Sequence, residues 1–117
     1  MSEAPKDLGI QYVELAVTDV PAAKEFYGKA FGWTFQDYGP TYASFSNAAV
    51  DGGFSGETPE HIGRPLVILY AIDLEGAVGR VERAGGKVVK PIFSFPGGRR
   101  FHFTDPAGNE LAIWSDK

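Results

Sequence analysis

Few side chains in this 117-residue chain could do chemistry. Cysteine is absent, which excludes thiolate nucleophiles, thiolate metal sites and disulfides. The sequence shows no nucleophile motif, Gly-rich phosphate loop or closely spaced His pair. What remains is a short set of carboxylates, histidines and aromatics. Glu14 lies in the alternating run Ile10 to Thr18 and Glu110 opens the run Glu110 to Trp114. His102 sits between Phe101 and Phe103, while His61 falls in a Gly/Pro-containing stretch where an exposed position is expected. Glu14 could act as a general base with a pKa raised by burial, or as a counter-charge for a cation. It could equally be a solvated strand residue. Glu14 and His102 are the candidate catalytic groups. A lone His is more often structural, and Glu110, next to a turn, has an equally ordinary reading. Tyr12, Tyr70 and Trp114 offer flat apolar area with a polar tip, which suits planar organic ligands. The same rings could simply fill a core.

Composition narrows the classes further. Apolar residues make up 44% and aromatics 14%, enough for one small core and a single domain. The net charge is −4 and the only adjacent basic pair is Arg99-Arg100, so no basic face exists for nucleic acid. Mild acidity suits a cationic or neutral ligand better than an anionic one. The longest apolar stretch, Pro65 to Ile72, is far too short to span a membrane. The first residues carry no apolar core of a signal peptide, so a cytoplasmic location is expected.

The elements that must position these residues follow from the pattern. Val13, Leu15 and Val17 alternate with other residues, predicting a half-buried strand. Asp19 can cap a helix with Pro21 in its first turn, an apolar stripe over Ala22, Ala23, Phe26, Tyr27, Ala30 and Phe31, and a stop at Gly32. Strands are expected over Trp33 to Tyr38, Tyr42 to Ser46 and, against Gly52-Gly53, Val50 to Phe54. After a linker, Leu66 to Ile72 predicts the most apolar strand. Asp73 caps a helix over Glu75 to Ala84, stopped by Gly85-Gly86. Strands follow at Lys87 to Ser94, interrupted by Pro91, at Arg99 to Thr104, and at Glu110 to Trp114 after the turn Asp105-Pro-Ala-Gly-Asn109.

The chain repeats itself. A shift of 54 residues places Val13 on Val67, Leu15 on Leu69, Asp19 on Asp73, Ala23 on Ala77, Ala30 on Ala84 and Gly32 on Gly86. The chain therefore reads as module one at about 9–55, a linker at about 56–64 and module two at about 65–115. The fold class is α+β: two βαβββ modules forming a curled mixed sheet around a cleft, with helices outside. Alternation sends Val13, Leu15, Val17, Val67, Leu69 and Ala71 toward the helices. It sends Tyr12, Glu14, Ala16, Leu66, Ile68 and Tyr70 to the other face. If Phe101 and Phe103 face a helix, Arg100 and His102 join that second set.

At this point the pattern is similar to a known family. The first strand through Asp19, then Phe26-Tyr27 and Phe31-Gly32-Trp33, resembles the first module of vicinal-oxygen-chelate proteins, the relatives of glyoxalase I, bleomycin-resistance proteins and extradiol dioxygenases. Val81-Glu-Arg-Ala-Gly-Gly86 and Asp105-Pro-Ala-Gly-Asn109 resemble the second module. The resemblance covers nearly the whole chain. It implies paired βαβββ modules, usually a homodimer, and in the metalloenzymes a divalent ion that polarises two vicinal oxygens. The positions that match the family's ligands fall on Tyr12, on Leu66 (or Val67), on Ala112 and on Gly53 (or Asp51). Apolar and phenolic side chains are poor ligands for such an ion. No metal ligand set and no cofactor are therefore expected.

The functional expectation is binding of a small organic molecule in an aromatic, largely apolar cleft without the usual metal. Tyr12, Glu14, Leu66, Ile68, Tyr70, His102, Ala112 and Trp114 are the candidate ligand-binding residues. The resemblance points to the drug-sequestering branch of the family. The alternative is a metal-dependent lyase or isomerase of the glyoxalase I type with displaced ligands. A third possibility is a dimerisation module whose cleft is packed shut. Partners expected are the small molecule and a second copy of the chain, with neither nucleic acid nor membrane.

Overall fold

The computed structural model describes residues 5–117. Eight strands and two helices follow in the order β1 (Ile10–Ala16), α1 (Val20–Phe31), β2 (Thr34–Asp37), β3 (Tyr42–Ser46), β4 (Asp51–Ser55), β5 (Leu66–Tyr70), α2 (Leu74–Arg83), β6 (Lys87–Phe95), β7 (Gly98–Thr104) and β8 (Glu110–Ser115). A single turn of 3-10 helix, Pro59–His61, lies between β4 and β5. The chain divides into two compact units. One is Tyr12–Leu66. The other is Val67–Lys117 together with the segment that ends at Gln11.

In the first unit the strands are bonded in the order β2-β3-β4-β1, with β1 and β4 parallel and the other pairs antiparallel. In the second the order is β5-β8-β7-β6, with β5 and β8 parallel. The segment entering β1 belongs to this second unit: the amide of Leu8 donates to the Tyr70 carbonyl and that of Tyr70 to the Gly9 carbonyl.

Both helices begin as the sequence dictates. Asp19 accepts a bond from the Ala22 amide and Asp73 from the Gly76 amide, satisfying a first-turn N–H that has no partner in the helix. Gly32 ends α1 in the left-handed conformation at φ 77°. The second helix ends differently. Its cap is Ala84 in the right-handed region, and Gly85 takes the positive φ one residue later.

Each helix covers one sheet face. In the first unit Tyr27 and Phe35 pack on Phe54, and Trp33 on Phe45. Gly52 lacks a side chain because the Phe45 ring and the Val13 carbonyl fill the space a Cβ would need. That close approach keeps the Gly-Gly pair inside a strand. In the second unit Ala71, Leu74, Ala77, Phe101 and Ile113 form the core, with Leu69, Val81 and Phe103 packed against it. Phe101 and Phe103 therefore face α2, and period-two alternation turns Arg100 and His102 to the opposite face. Two details depart from expectation. Strand β6 runs through Pro91 without ending, and its register slips on either side of Lys90 instead. His61 is buried rather than exposed.

Candidate functional site

In the first unit, the face turned away from α1 carries Tyr12 and Glu14 from β1, Tyr42 and Ser44 from β3, and Gly53 from β4. The register sets Glu14 opposite Gly53, Gly53 opposite Ser44, and Tyr12 opposite Asp51. Glu14 is 6% exposed. The Tyr42 hydroxyl donates to Glu14 Oε2 at 2.9 Å, and the Tyr12 and Tyr42 hydroxyl oxygens lie 2.8 Å apart. Burial, reinforced by the Glu14 charge, pushes the Tyr42 phenol far above its usual pKa. Burial also raises Tyr12, with the Tyr42 hydrogen bond opposing it. Both phenols therefore keep their protons across the physiological range. Gly53 makes the arrangement fit: a Cβ there would lie 2.6 Å from each phenol oxygen and 2.9 Å from the Ala43 carbonyl.

In the second unit, the face opposite α2 carries Ile68 and Tyr70 from β5, Lys90, Phe93 and Phe95 from β6, Arg100 and His102 from β7, and Ala112 and Trp114 from β8. Ile68 lies opposite Ala112, Ala112 opposite His102, and Trp114 opposite Arg100. Tyr70 meets Trp114 edge-on with centroids 5.3 Å apart, and Phe95 lies 6.3 Å from Trp114. The Arg100 guanidinium sits 5.5 Å from the Phe93 centroid and 5.9 Å from that of Phe95. The Tyr70 hydroxyl donates to Asp116 at 2.6 Å. The Trp114 indole N–H donates to Gln11 at 2.8 Å.

His102 is 1% exposed, with Nδ1 2.8 Å from Glu110 Oε2. A carboxylate only accepts, so Nδ1 carries the proton and Nε2 presents a lone pair. Burial lowers the His102 pKa and the charges of Arg100 and Lys90 add to it, against the hydrogen bond from Glu110. The imidazole is therefore held neutral, with its tautomer fixed. That form can accept a proton or ligate a metal ion.

The predicted residues are thus distributed over two faces. Tyr12 and Glu14 meet in the first unit. Ile68, Tyr70, His102, Ala112 and Trp114 share one face of the second, and Leu66 is buried at the start of β5. Sequence reasoning overlooked Tyr42, Phe93 and Phe95. The alternation of Tyr42 and Ser44 against Ala43 and Phe45 signals Tyr42's face, but nothing in the sequence signals that its hydroxyl reaches Glu14. The two β6 phenylalanines were hidden by the slips around Lys90.

The chain belongs to the Glyoxalase/Bleomycin resistance protein/Dioxygenase superfamily, whose family model matches residues 9–113. It is 30% identical over 115 residues to CFP32 of Mycobacterium tuberculosis, whose name describes a candidate glyoxylase, covering 88% of this chain and 44% of that protein. It is 29% identical over 124 residues to the anthracycline biosynthesis protein DnrV of Streptomyces peucetius, covering 88% and 45%. The chain therefore spans less than half the length of these relatives. The Mn(II)-bound glyoxalase of Novosphingobium aromaticivorans shares the fold, with a TM-score of 0.66 at 23% identity over 97% of this chain and 40% of that one.

Family membership implies a divalent metal in some members, and the residues here do not fit one held in that way. In each unit the register aligns the matching positions: Glu14 lies opposite Gly53, and Ile68, which is 54 residues after Glu14, lies opposite Ala112. Gly53 thus corresponds to Ala112. One has no side chain and the space for it is filled by two phenols; the other is a methyl group with no exposure. Tyr12 is hydrogen-bonded to Tyr42, and Leu66 is a buried alkyl group. None of these is an oxygen or imidazole ligand of the usual kind.

Proposed function

We propose that the protein binds a small planar organic molecule at an aromatic, largely apolar site, without the family's usual metal. The observation that carries this reading is the ring cluster of Tyr70, Phe93, Phe95 and Trp114 with Arg100, on the sheet face opposite the one α2 covers. Rings of this kind give stacking area at small cost in side-chain freedom. The name of DnrV, tied to anthracycline biosynthesis, is in keeping with an organic ligand. A homodimer is part of this reading, and sedimentation tests it.

The test uses Trp114 as reporter in a Trp33→Phe background, since these are the chain's two tryptophans. Planar aromatic probes should quench Trp114 saturably with a dissociation constant in the micromolar range, roughly −8 kcal/mol. Trp114→Ala removes the reporter, so its binding is read by calorimetry instead, and it should be lost. No quenching by any probe up to millimolar concentration would sink the proposal.

One observation favours a second reading, a metal-dependent lyase or isomerase of the glyoxalase type with displaced ligands. His102 Nδ1 and Glu110 Oε2 lie 2.8 Å apart, the histidine–carboxylate pairing that accompanies metal-ligating imidazoles. Calorimetric titration with Ni, Zn, Mn and Fe(II) separates the two. Stoichiometric binding at micromolar or better, abolished by His102→Ala, would replace the first reading with the second.

A further inference from the structure

The direction of the hydrogen bonds in the first unit can be worked out atom by atom. Glu14 Oε2 accepts from the Tyr42 hydroxyl. A phenol has one proton, so Tyr42 has none left for Tyr12. The 2.8 Å contact between the two hydroxyls must then carry the proton of Tyr12, donated to the Tyr42 oxygen. Tyr12 in turn has no proton left, and its oxygen presents only a lone pair. Each bond in such a chain polarises the next, so the buried carboxylate makes the Tyr12 oxygen a better acceptor. Gly53 holds the two oxygens together by leaving them the space of its missing side chain.

We propose that Tyr12 Oη is the accepting end of a Tyr12–Tyr42–Glu14 chain that recognises the hydroxyl group of a neutral organic ligand, a phenol or an alcohol. A ligand that offers only acceptors there, such as an ether, or a carboxylate or phenolate, meets a lone pair and is rejected. This site uses residues of the first unit alone and does not rest on the ring cluster proposed for the second.

The test compares 4-nitrophenol, at a pH where it is neutral, with 4-nitroanisole, in which a methyl group replaces the donated proton. Binding to the full chain is read by calorimetry. A neutral hydrogen bond, strengthened by the chain behind it, predicts that the phenol binds roughly tenfold tighter than the ether. Tyr12→Phe removes the acceptor and should equalise the two compounds. Tyr42→Phe leaves Tyr12 its own proton to donate outward, so the ether should gain on the phenol. Near-ultraviolet circular dichroism confirms that each variant is folded, and the wild-type comparison needs no variant at all. Equal affinity of the wild type for the two compounds would overturn the proposal. So would a preference that survives Tyr12→Phe, or failure of the phenol to bind at millimolar concentration. Stacking on Trp114 predicts equal affinities for both compounds and loss of both in Trp114→Ala, so failure of that reading is seen separately.

Discussion

Gly53→Ala probes the Tyr12–Tyr42–Glu14 arrangement most directly. The added methyl carbon would lie 2.6 Å from both phenol oxygens and 2.9 Å from the Ala43 carbonyl, about an ångström inside ordinary contact. Overpacking of this kind costs typically ~1–3 kcal/mol. Separating the phenols weakens their hydrogen bond, worth about 1 kcal/mol. Alanine returns roughly 0.5–1 kcal/mol by restricting the unfolded chain. The balance is a loss of about 1–3.5 kcal/mol, a fall in Tm on the order of 5–15 °C for a domain of this size. Urea denaturation followed by circular dichroism measures it. Repeating the substitution in a Tyr12→Phe/Tyr42→Phe background isolates the cause, because both crowding oxygens are then gone. The cost should fall to about 1 kcal/mol or less, leaving only the Ala43 contact. Equal costs in the two backgrounds would show that the phenols do not occupy the side-chain space of Gly53, and the account of that face would be wrong.

Three further outcomes follow from the same geometry. His102 has a lowered pKa, so the unfolded chain takes up a proton before the folded one does as pH falls through the ordinary histidine value. Its contribution to stability is therefore full above about pH 6.5 and declines below it. His102→Gln should flatten that slope in thermal melts from pH 8 to 5, and an unchanged slope would place the titration elsewhere. Asp73→Ala should cost about 1 kcal/mol of cap stabilisation, and Asp19→Ala less, because its bond to the helix is 3.4 Å long against 3.0 Å. Equal losses by chemical denaturation would mean bond length does not rank the caps. Phe101→Ala, at a fully buried position of the second core, should cost ~3–5 kcal/mol. A loss under about 1 kcal/mol would contradict the packing of α2 on that ring.

The sequence carried the fold further than it carried the site. Caps at Asp19 and Asp73, alternation through Val13 and Leu15, and the 54-residue offset are local signals, and each reappears as an element of the structure. The offset holds only through the helices. Strand β6 has nine residues against four in β2, so the later strands correspond at 58 or 59 residues: Ser44 to His102, Tyr42 to Arg100, Gly53 to Ala112. That drift hid Tyr42 from a comparison at fixed offset. The burial of His61 was equally out of reach, since composition marks a segment as loop but says nothing of what covers it. Face assignments needed only parity. The partners of Glu14 and His102 needed register, which depends on bulges and turn lengths that no short window of sequence encodes.

The division of the chain has a consequence for the order in which it folds. Tyr12–Leu66 is one continuous stretch, whereas the other unit joins Val67–Lys117 to residues before Tyr12. The bond from Trp114 to Gln11 closes a separation of 103 residues. Closing so long a loop is entropically expensive and slows the contacts that depend on it. The continuous unit can assemble while the chain is still being synthesised; the discontinuous one waits for β8. In refolding, the signal of Trp33 should therefore reach its native value before that of Trp114. On this expectation early and late folding part within strand β1, where the division between Gln11 and Tyr12 falls.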